Sequence, residues 1–155
     1  MAGRIDARMA ELGVRLPEAA APAGNYVPYV VSGSLVFISG QISIQGDTRI
    51  VGTVGGDLTL EDGQRAARLC ATNLLVQLKR ACDGDLDRVA RCVRLGGFVR
   101  STPEFTDQPK VVNGASDLIA SVFGDAGKHA RAAVSVPALP FGVAVEVDGI
   151  FEIRR

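Results

Sequence analysis

An arginine and two carboxylates near the C-terminus could together bind and activate a small ligand. Arg131 lies in segment 130–136, and Glu146 and Asp148 lie in segment 143–148. An arginine fork binds a carboxylate through two parallel hydrogen bonds, and a neighbouring carboxylate can orient or deprotonate a water molecule. The alternative is an ordinary surface ion pair, which is common and weak.

Both segments are predicted to be β-strands, because their apolar residues recur in a period of two. A turn rich in proline and glycine separates them, so the simplest connection is a hairpin centred near Leu139 and Pro140. In that hairpin Arg131 lies opposite Asp148 and diagonal to Glu146 on one face. The other face is apolar and is predicted to belong to the core; its residues are Ala132, Val134, Val136, Val143, Val145 and Val147.

The remaining patterns predict a single α+β domain in the order β-β-α-β-α-β-β, preceded by an extra helix. The predicted elements are a helix within residues 1–16, strands at 27–31 and 35–38, a helix at 60–81, a strand at 89–99, a helix at 108–123 and the two C-terminal strands. Residues 17–25 form a connector. Thr59 and Asp62 fit a capping box at the start of the first long helix.

The predicted sheet has one face that its own helices cannot cover. Two helices with one apolar side each cover one face of a sheet of about five strands. Residues 35–38 are nevertheless apolar at consecutive positions, as in a strand buried on both faces. The sequence therefore predicts self-association, in which another copy covers the second face.

Composition narrows the classes of function. The 155 residues carry a formal net charge of zero and 47% apolar residues, which is typical of a globular domain and gives no electrostatic case for nucleic acid or a membrane surface. No apolar segment is long enough to span a bilayer and no signal-peptide core is apparent, so we expect a cytoplasmic protein. Three cysteines without a Cys-x-x-Cys pair and the distant His129 predict buried thiols, no metal site and a structural histidine.

Three blocks of the sequence resemble the Rid/YjgF family of enamine and imine deaminases. The C-terminal block is Arg131 followed by a Val-x-Val-x-x-Leu-Pro run and then by Val-x-Val-Glu ending at Glu146. The second is Tyr26-Val27 followed by Val-Phe-Ile-Ser-Gly-Gln at 36–41, and the third is Asn113. The resemblance covers residues 22–153, which are expected to form the family domain.

The resemblance implies a YjgF/chorismate mutase-like fold with both long helices on one face of the sheet. It also implies a homotrimer whose sheets form a central barrel, with sites at the subunit interfaces. The implied activity is hydrolysis of 2-imino or enamino acids to 2-oxo acids and ammonia without cofactor or metal. Arg131 would bind the substrate carboxylate and Glu146 would orient the water. The implied substrate-binding residues are Tyr26, Ser39, Gly40, Asn113 and Ala133.

Two alternatives to catalysis stay open. Arg131 would equally serve a non-catalytic trimer that binds carboxylic acids as a sensor or scaffold. Ribonuclease activity, known for some relatives, is less favoured because no basic stripe interleaved with aromatics is present. Ala133 stands where the family often has cysteine, which removes a thiol but not the means of adding water. Tyr26 and Asn113 have structural alternatives, a strand-edge aromatic and a helix-surface amide.

Overall fold

The computed structural model describes residues 2–19, 21 and 24–155. Its main feature is a five-stranded sheet in the order β1-β2-β7-β5-β6, with a two-stranded β3-β4 ribbon beside it. The elements are α1 (Arg4–Glu11), β1 (Tyr29–Ser32), β2 (Leu35–Ile42), β3 (Ile44–Gln45), β4 (Thr48–Arg49), α2 (Leu60–Ala81), β5 (Val89–Arg100), α3 (Gln108–Phe123), β6 (Ala130–Val136) and β7 (Val145–Ile153). The predicted α+β class and order are confirmed. The β3-β4 ribbon falls in a segment predicted as loop.

Both long helices begin and end where the sequence predicts. The capping box of α2 is present: the Asp62 amide donates to Thr59 Oγ1 at 3.1 Å, and the Thr59 amide donates to Asp62 Oδ2 at 2.9 Å. Gly124 adopts a positive φ at the end of α3, a conformation that favours glycine. Local signals were sufficient here because capping and periodicity act within one element.

The N-terminal helix is shorter than the predicted range of 1–16. It ends at Glu11, and Gly13 follows with a φ of 70°, which turns the chain. The Asp87 carboxylate accepts from the amides of Arg4 and Ile5, both at 2.8 Å, so a distant loop caps the first turn. Ile5 and Met9 lie in the same core as the long helices. The predicted connector, residues 17–25, lies partly outside the described residues.

The predicted C-terminal hairpin is wrong. Strand β6 pairs in parallel with β5, whereas β7 pairs antiparallel with β5 on its other side and with β2. The β5-α3-β6 unit is a crossover between parallel strands, so β6 lies at the sheet edge next to β5. The loop after β6 then passes the end of β5 before β7 begins. Alternation within a strand identifies its two faces but not its neighbours.

The predicted apolar core face holds for β7 and fails for β6. In β7, Val145 and Val147 are buried beneath the helices. In β6, Ala132 and Val134 are exposed, with 46% of Val134 accessible. The other phase of β6, which carries Arg131, faces α3 instead. The apolar residues Ala132 and Val134 of β6 therefore lie on the face of the sheet that carries no helices.

That second face carries further apolar side chains. Val30 on β1 and Phe37 on β2 are lateral partners on this face, and they are exposed by 52% and 41%. Both long helices pack on the opposite face, where the core is formed. Large exposed apolar surfaces on a soluble domain mark interaction sites.

The three cysteines are free and buried, as predicted. Among the described residues no group of histidine, cysteine, aspartate and glutamate is arranged to hold a metal ion. No helix in the described part of the chain is long and apolar enough to cross a membrane.

Candidate functional site

Arg131 is held against α3 by neutral oxygen atoms. Its Nη1 donates to Asn113 Oδ1 at 2.7 Å and to Ser116 Oγ at 3.1 Å, and its Nη2 donates to the Pro109 carbonyl at 3.2 Å. Within the described residues no carboxylate lies within 4.0 Å of its guanidinium, in contrast to seven other ion pairs. The predicted surface ion pair with Asp148 is therefore absent, since Asp148 pairs with Arg94 at 3.7 Å.

The contacts with α3 leave two donors of the guanidinium without an acceptor among the described residues. An arginine has five N–H groups, and α3 accepts from three of those of Arg131. The Nε–H and one Nη2–H are left. Two N–H donors of one guanidinium can bind the two oxygens of a carboxylate, so Arg131 is a candidate anion-binding group.

Sequence analysis missed part of this support. His129 Nδ1 lies 2.6 Å from the Gly127 carbonyl, which can only accept, so Nδ1 carries the proton. In a neutral imidazole with this tautomer, His129 Nε2, 2.9 Å from Ser116 Oγ, accepts from the Ser116 hydroxyl, whose oxygen in turn accepts from Arg131. His129 is thus structural, as predicted, and it contacts the Ser116 hydroxyl that in turn holds Arg131. Ser116 follows Asn113 by three residues on one helix face, and that spacing was the available signal. We define the arginine cluster as Arg131, Asn113, Ser116 and His129.

Glu146 lies on β7 beside Gly40, where the register between β2 and β7 shifts. A Cβ on residue 40 would lie 2.9 Å from Glu146 Cδ and Oε2, so a larger residue at position 40 would displace the Glu146 carboxylate from its present position. Partial burial raises the pKa of the Glu146 carboxyl, and the charge of Asp148 raises it further. A carboxylate with a raised pKa is a better general base than an ordinary one.

Ser39 and Tyr26 complete this second group. The Ser39 hydroxyl donates to the Val27 carbonyl at 2.8 Å, which ties β2 to the segment that carries Tyr26. The Tyr26 ring is 54% exposed, and it lines one cavity together with Gly40. We define the glutamate cluster as Glu146, Gly40, Ser39 and Tyr26.

Arg131 and Glu146 lie on opposite faces of the sheet in one chain. Arg131 is the lateral partner of Leu95 on β5, and Glu146 is the lateral partner of Phe98. These β5 positions are three residues apart, and an odd separation points side chains to opposite faces. Two strand spacings, about 10 Å, add lateral distance. The predicted diagonal pair of Arg131 and Glu146 is therefore wrong within a chain, although each residue sits in a cluster with predicted partners. Ala133 lies two residues beyond Arg131 and is partly buried on the same side.

A family model described as "YjgF/chorismate_mutase-like, putative endoribonuclease" matches residues 6–151. The chain belongs to the YjgF/Rid family. A curated relative, Protein TCP17 of Trypanosoma cruzi, is 52% identical over 156 residues, which cover 99% of this chain and 96% of the relative.

Solved structures of similar proteins place the fold in the same YjgF/Rid group. The protein Atu1372 of Agrobacterium tumefaciens, of unknown function, is 50% identical with a TM-score of 0.90, over 97% of this chain and 92% of that one. A "putative endoribonuclease" of Shewanella oneidensis is 37% identical with a TM-score of 0.93, over 97% of this chain and all of that one. TdcF of E. coli, solved with bound serine, is 25% identical with a TM-score of 0.59, over 91% and 94% of the two chains.

Proposed function

We propose that this protein is a hydrolytic deaminase of small 2-imino and enamino acids, acting at sites formed between copies in a homotrimer. The observation that carries the proposal is the arginine cluster, in which Arg131 is fixed by neutral acceptors and has no carboxylate partner among the described residues. The serine bound to TdcF, a small molecule with a carboxylate, supports a ligand of this class.

The positions of the two clusters explain why a second copy is needed. A ligand held by Arg131 cannot meet Glu146 of the same chain, because the sheet lies between them. It can meet Glu146 of another copy if the apolar second face is the contact surface. The exposed side chains on that face, including Val134 and Phe37, support this assembly.

The chemistry then assigns a separate step to each cluster. The remaining N–H donors of Arg131 bind the substrate carboxylate and so fix the neighbouring C=N carbon in space. Glu146 takes a proton from a water molecule as the water oxygen forms a bond to that carbon. The proton passes to the imine nitrogen, which gives a carbinolamine. The hydroxyl proton of this intermediate then passes to its amino nitrogen, the C–N bond breaks as the C=O bond forms, and ammonia leaves the 2-oxo acid. Ser39, Asn113, Tyr26, Gly40 and Ala133 would line the site.

The direct test generates 2-iminopropanoate or 2-iminobutanoate in place with an amino-acid oxidase. We expect the protein to accelerate formation of the 2-oxo acid. Binding of 2-oxobutanoate without any acceleration would leave a non-catalytic carboxylate-binding protein instead. The Glu146→Gln variant should keep binding and lose roughly 10²- to 10⁴-fold in turnover, the usual contribution of a positioned general base.

Mixing two inactive variants tests whether the site spans two copies. Arg131→Lys loses the two-pronged fork, and loss of such a charge-assisted contact costs about 1.5–3 kcal/mol. Trimers assembled from equal amounts of Arg131→Lys and Glu146→Gln chains contain interfaces where both native residues meet. We expect about a quarter of the native activity, the statistical share of intact interfaces in a cyclic trimer. No recovery on mixing would contradict a shared site.

An endoribonuclease is the second candidate, because that word occurs in the descriptions of the family and of the Shewanella protein. The zero net charge of this chain gives little electrostatic attraction for a phosphate backbone. Incubation with labelled single-stranded RNA, with Arg131→Lys and Glu146→Gln in parallel, separates the two functions. Cleavage by the native protein without imine hydrolysis would favour the ribonuclease.

A further inference from the structure

His129 is connected to Arg131 through a single oxygen atom. Ser116 Oγ lies 2.9 Å from His129 Nε2 and 3.1 Å from Arg131 Nη1, so one hydroxyl joins an imidazole and a guanidinium. Both His129 and Ser116 are partly buried, and solvent screens partly buried charges less than charges on the surface. A change in the charge of the imidazole therefore acts on Arg131 at short range.

The hydrogen bonds around Ser116 differ between the two protonation states of His129. In the neutral form with the proton on Nδ1, the Ser116 hydroxyl donates to Nε2 and its oxygen accepts from Arg131. In the charged form both ring nitrogens are donors, so Nε2–H donates to Ser116 Oγ and the hydroxyl proton turns to another acceptor. Two cations then share one oxygen and repel each other. An empty site therefore favours neutral His129.

An anion bound to Arg131 reverses this preference. A carboxylate on the remaining N–H donors of Arg131 offsets the guanidinium charge and so removes the repulsion that opposes charging of His129. An arginine stays protonated in proteins, whereas a histidine changes its charge between pH 5 and pH 8. Binding of the anion and binding of a proton to His129 are then coupled, and each strengthens the other by the same factor.

The other charged groups around His129 leave Arg131 as its nearest charged partner. Among the described residues no carboxylate lies within 4.0 Å of the imidazole, and its Nδ1 is bonded to the Gly127 carbonyl at 2.6 Å. The charged residues on the neighbouring elements are exposed or engaged in ion pairs: Arg94 on β5, Asp117 on α3, and Asp125 and Lys128 in the turn before β6.

We propose that His129 is a positioning residue that makes ligand binding at Arg131 depend on a proton, so that the site holds a carboxylate more tightly when His129 is protonated. The inference rests on the anion-binding role of Arg131 in the proposed function and adds control by pH to it. The 2-oxo acid product would accordingly leave more readily as pH rises.

The first experiment follows His129 directly. It is the sole histidine of the chain, so its imidazole signal in NMR spectra of the full-length protein needs no assignment. The signal is titrated with pH in the empty protein and in the protein saturated with 2-oxobutanoate. We expect the ligand to move the titration midpoint upward by about 0.7 pH unit or more, which corresponds to a coupling of about fivefold. A midpoint that stays in place or moves downward would overturn the proposal.

A second experiment needs no ligand and so separates this inference from the proposed function. Arg131→Gln removes the guanidinium charge, and the His129 midpoint of the empty protein should rise. Lys128→Gln is the matched control, because Lys128 is an exposed cation next to His129 that pairs with Asp125 at 3.2 Å. It should move the midpoint much less, since solvent screens exposed charges. No rise in Arg131→Gln, or equal rises in both variants, would overturn the coupling.

The affinity for 2-oxobutanoate is the reciprocal measurement. In the native protein, Kd measured by calorimetry should be about fivefold lower at pH 5 than at pH 8. His129→Gln keeps a polar side chain that cannot take up a proton in this range, so most of this difference should disappear. Measuring both proteins in the Glu146→Gln background removes the other titrating group of the proposed site.

The outcomes distinguish this inference from the deaminase. The same dependence of Kd on pH in native protein and in folded His129→Gln would overturn the linkage and leave the deaminase in place. Binding that depends on His129, without acceleration of imine hydrolysis, would support the linkage and contradict only catalysis. Absence of 2-oxobutanoate binding at both pH values would overturn the two proposals together.

Discussion

At the residue scale, three polar groups of α3 orient the guanidinium of Arg131. Asn113, Ser116 and the Pro109 carbonyl all accept from Arg131, and His129 orients the Ser116 hydroxyl. Bonds to neutral oxygens fix the side chain without neutralising it. Such supporting contacts are what hold a binding group within the narrow geometry that recognition needs.

Ser116 should therefore act as a positioning residue. Ser116→Ala removes one acceptor of Arg131, and a hydrogen bond of this kind contributes about 0.5–1.5 kcal/mol. We expect KM for the imino acid to rise about 2- to 10-fold with kcat nearly unchanged, since carboxylate binding is common to ground and transition states. Ser116→Thr, which keeps the hydroxyl, should restore KM. A 2- to 10-fold fall in kcat with an unchanged KM would contradict this role.

The pH dependence should report on Glu146. Burial and the charge of Asp148 raise the pKa of its carboxyl, and the base must be deprotonated to act. Asp148→Asn removes the second cause, so the acid limb of kcat/KM should move to lower pH. Asp117→Asn, an exposed change on α3, is the control and should leave the limb in place. A limb that does not move in Asp148→Asn would mean that another group controls it.

The same shift has a consequence for stability. A carboxyl whose pKa is raised by folding binds its proton more tightly in the folded chain than in the unfolded chain. Its favourable contribution is complete below the unfolded pKa and is lost as pH rises through the folded pKa. At neutral pH the ionised Glu146 therefore destabilises the fold, a cost often found at functional positions.

At the scale of elements, α2 has two tasks. One side packs into the core through residues such as Leu74 and Leu78, and the polar residue Asn73 donates to carbonyls of the β2 to β3 segment. The capping box at Thr59 sets where the helix begins. Without the capping box, α2 would lose the two hydrogen bonds between Thr59 and Asp62, while its core contacts and the Asn73 bonds would stay in place.

Removing the cap should be measurable. Thr59→Ala should lower the free energy of unfolding by about 1 kcal/mol, within the range of 0.5–2 kcal/mol for such caps. The measurement is urea unfolding at one fixed protein concentration, because association shifts the midpoint. Thr48→Ala at the exposed β4 ribbon is the matched control and should change little. Equal losses for both variants would count against the cap.

At the scale of the whole molecule, the second face of the sheet links association to function. Apolar side chains from β1, β2 and β6 remain exposed there, and Glu146 projects from the same face. If copies associate through this face, assembly both buries the apolar surface and completes the proposed site. Association and activity should then be lost together.

Val134→Asp tests this connection. A carboxylate in the centre of an apolar contact is strongly unfavourable unless it is paired, so the proposed trimer should dissociate while the fold is kept. Native mass spectrometry and light scattering measure the mass, and circular dichroism reports the fold. Arg68→Asp, on the exposed side of α2, is the control and should leave the mass unchanged. A native protein that is a monomer at micromolar concentrations would contradict the assembly.

The sequence alone determined the features that depend on local interactions. Helix periodicity and the Thr59 cap located α2, and the glycine after Phe123 marked the end of α3. The family resemblance of the blocks that contain Arg131 and Asn113 identified two members of one cluster. The existence of an uncovered sheet face also followed from counting helices against strands.

Only the tertiary structure decided which strands are neighbours. Alternation is the same whether β6 lies beside β7 or beside β5, and a loop of several residues permits both. The crossover through α3 placed β6 next to β5, which separated Arg131 from Glu146 and turned Ala132 and Val134 outward. Packing likewise decided which buried polar atoms have no partner among the described residues, such as Gln45 Nε2 and Gln77 Oε1, since a sequence does not record this.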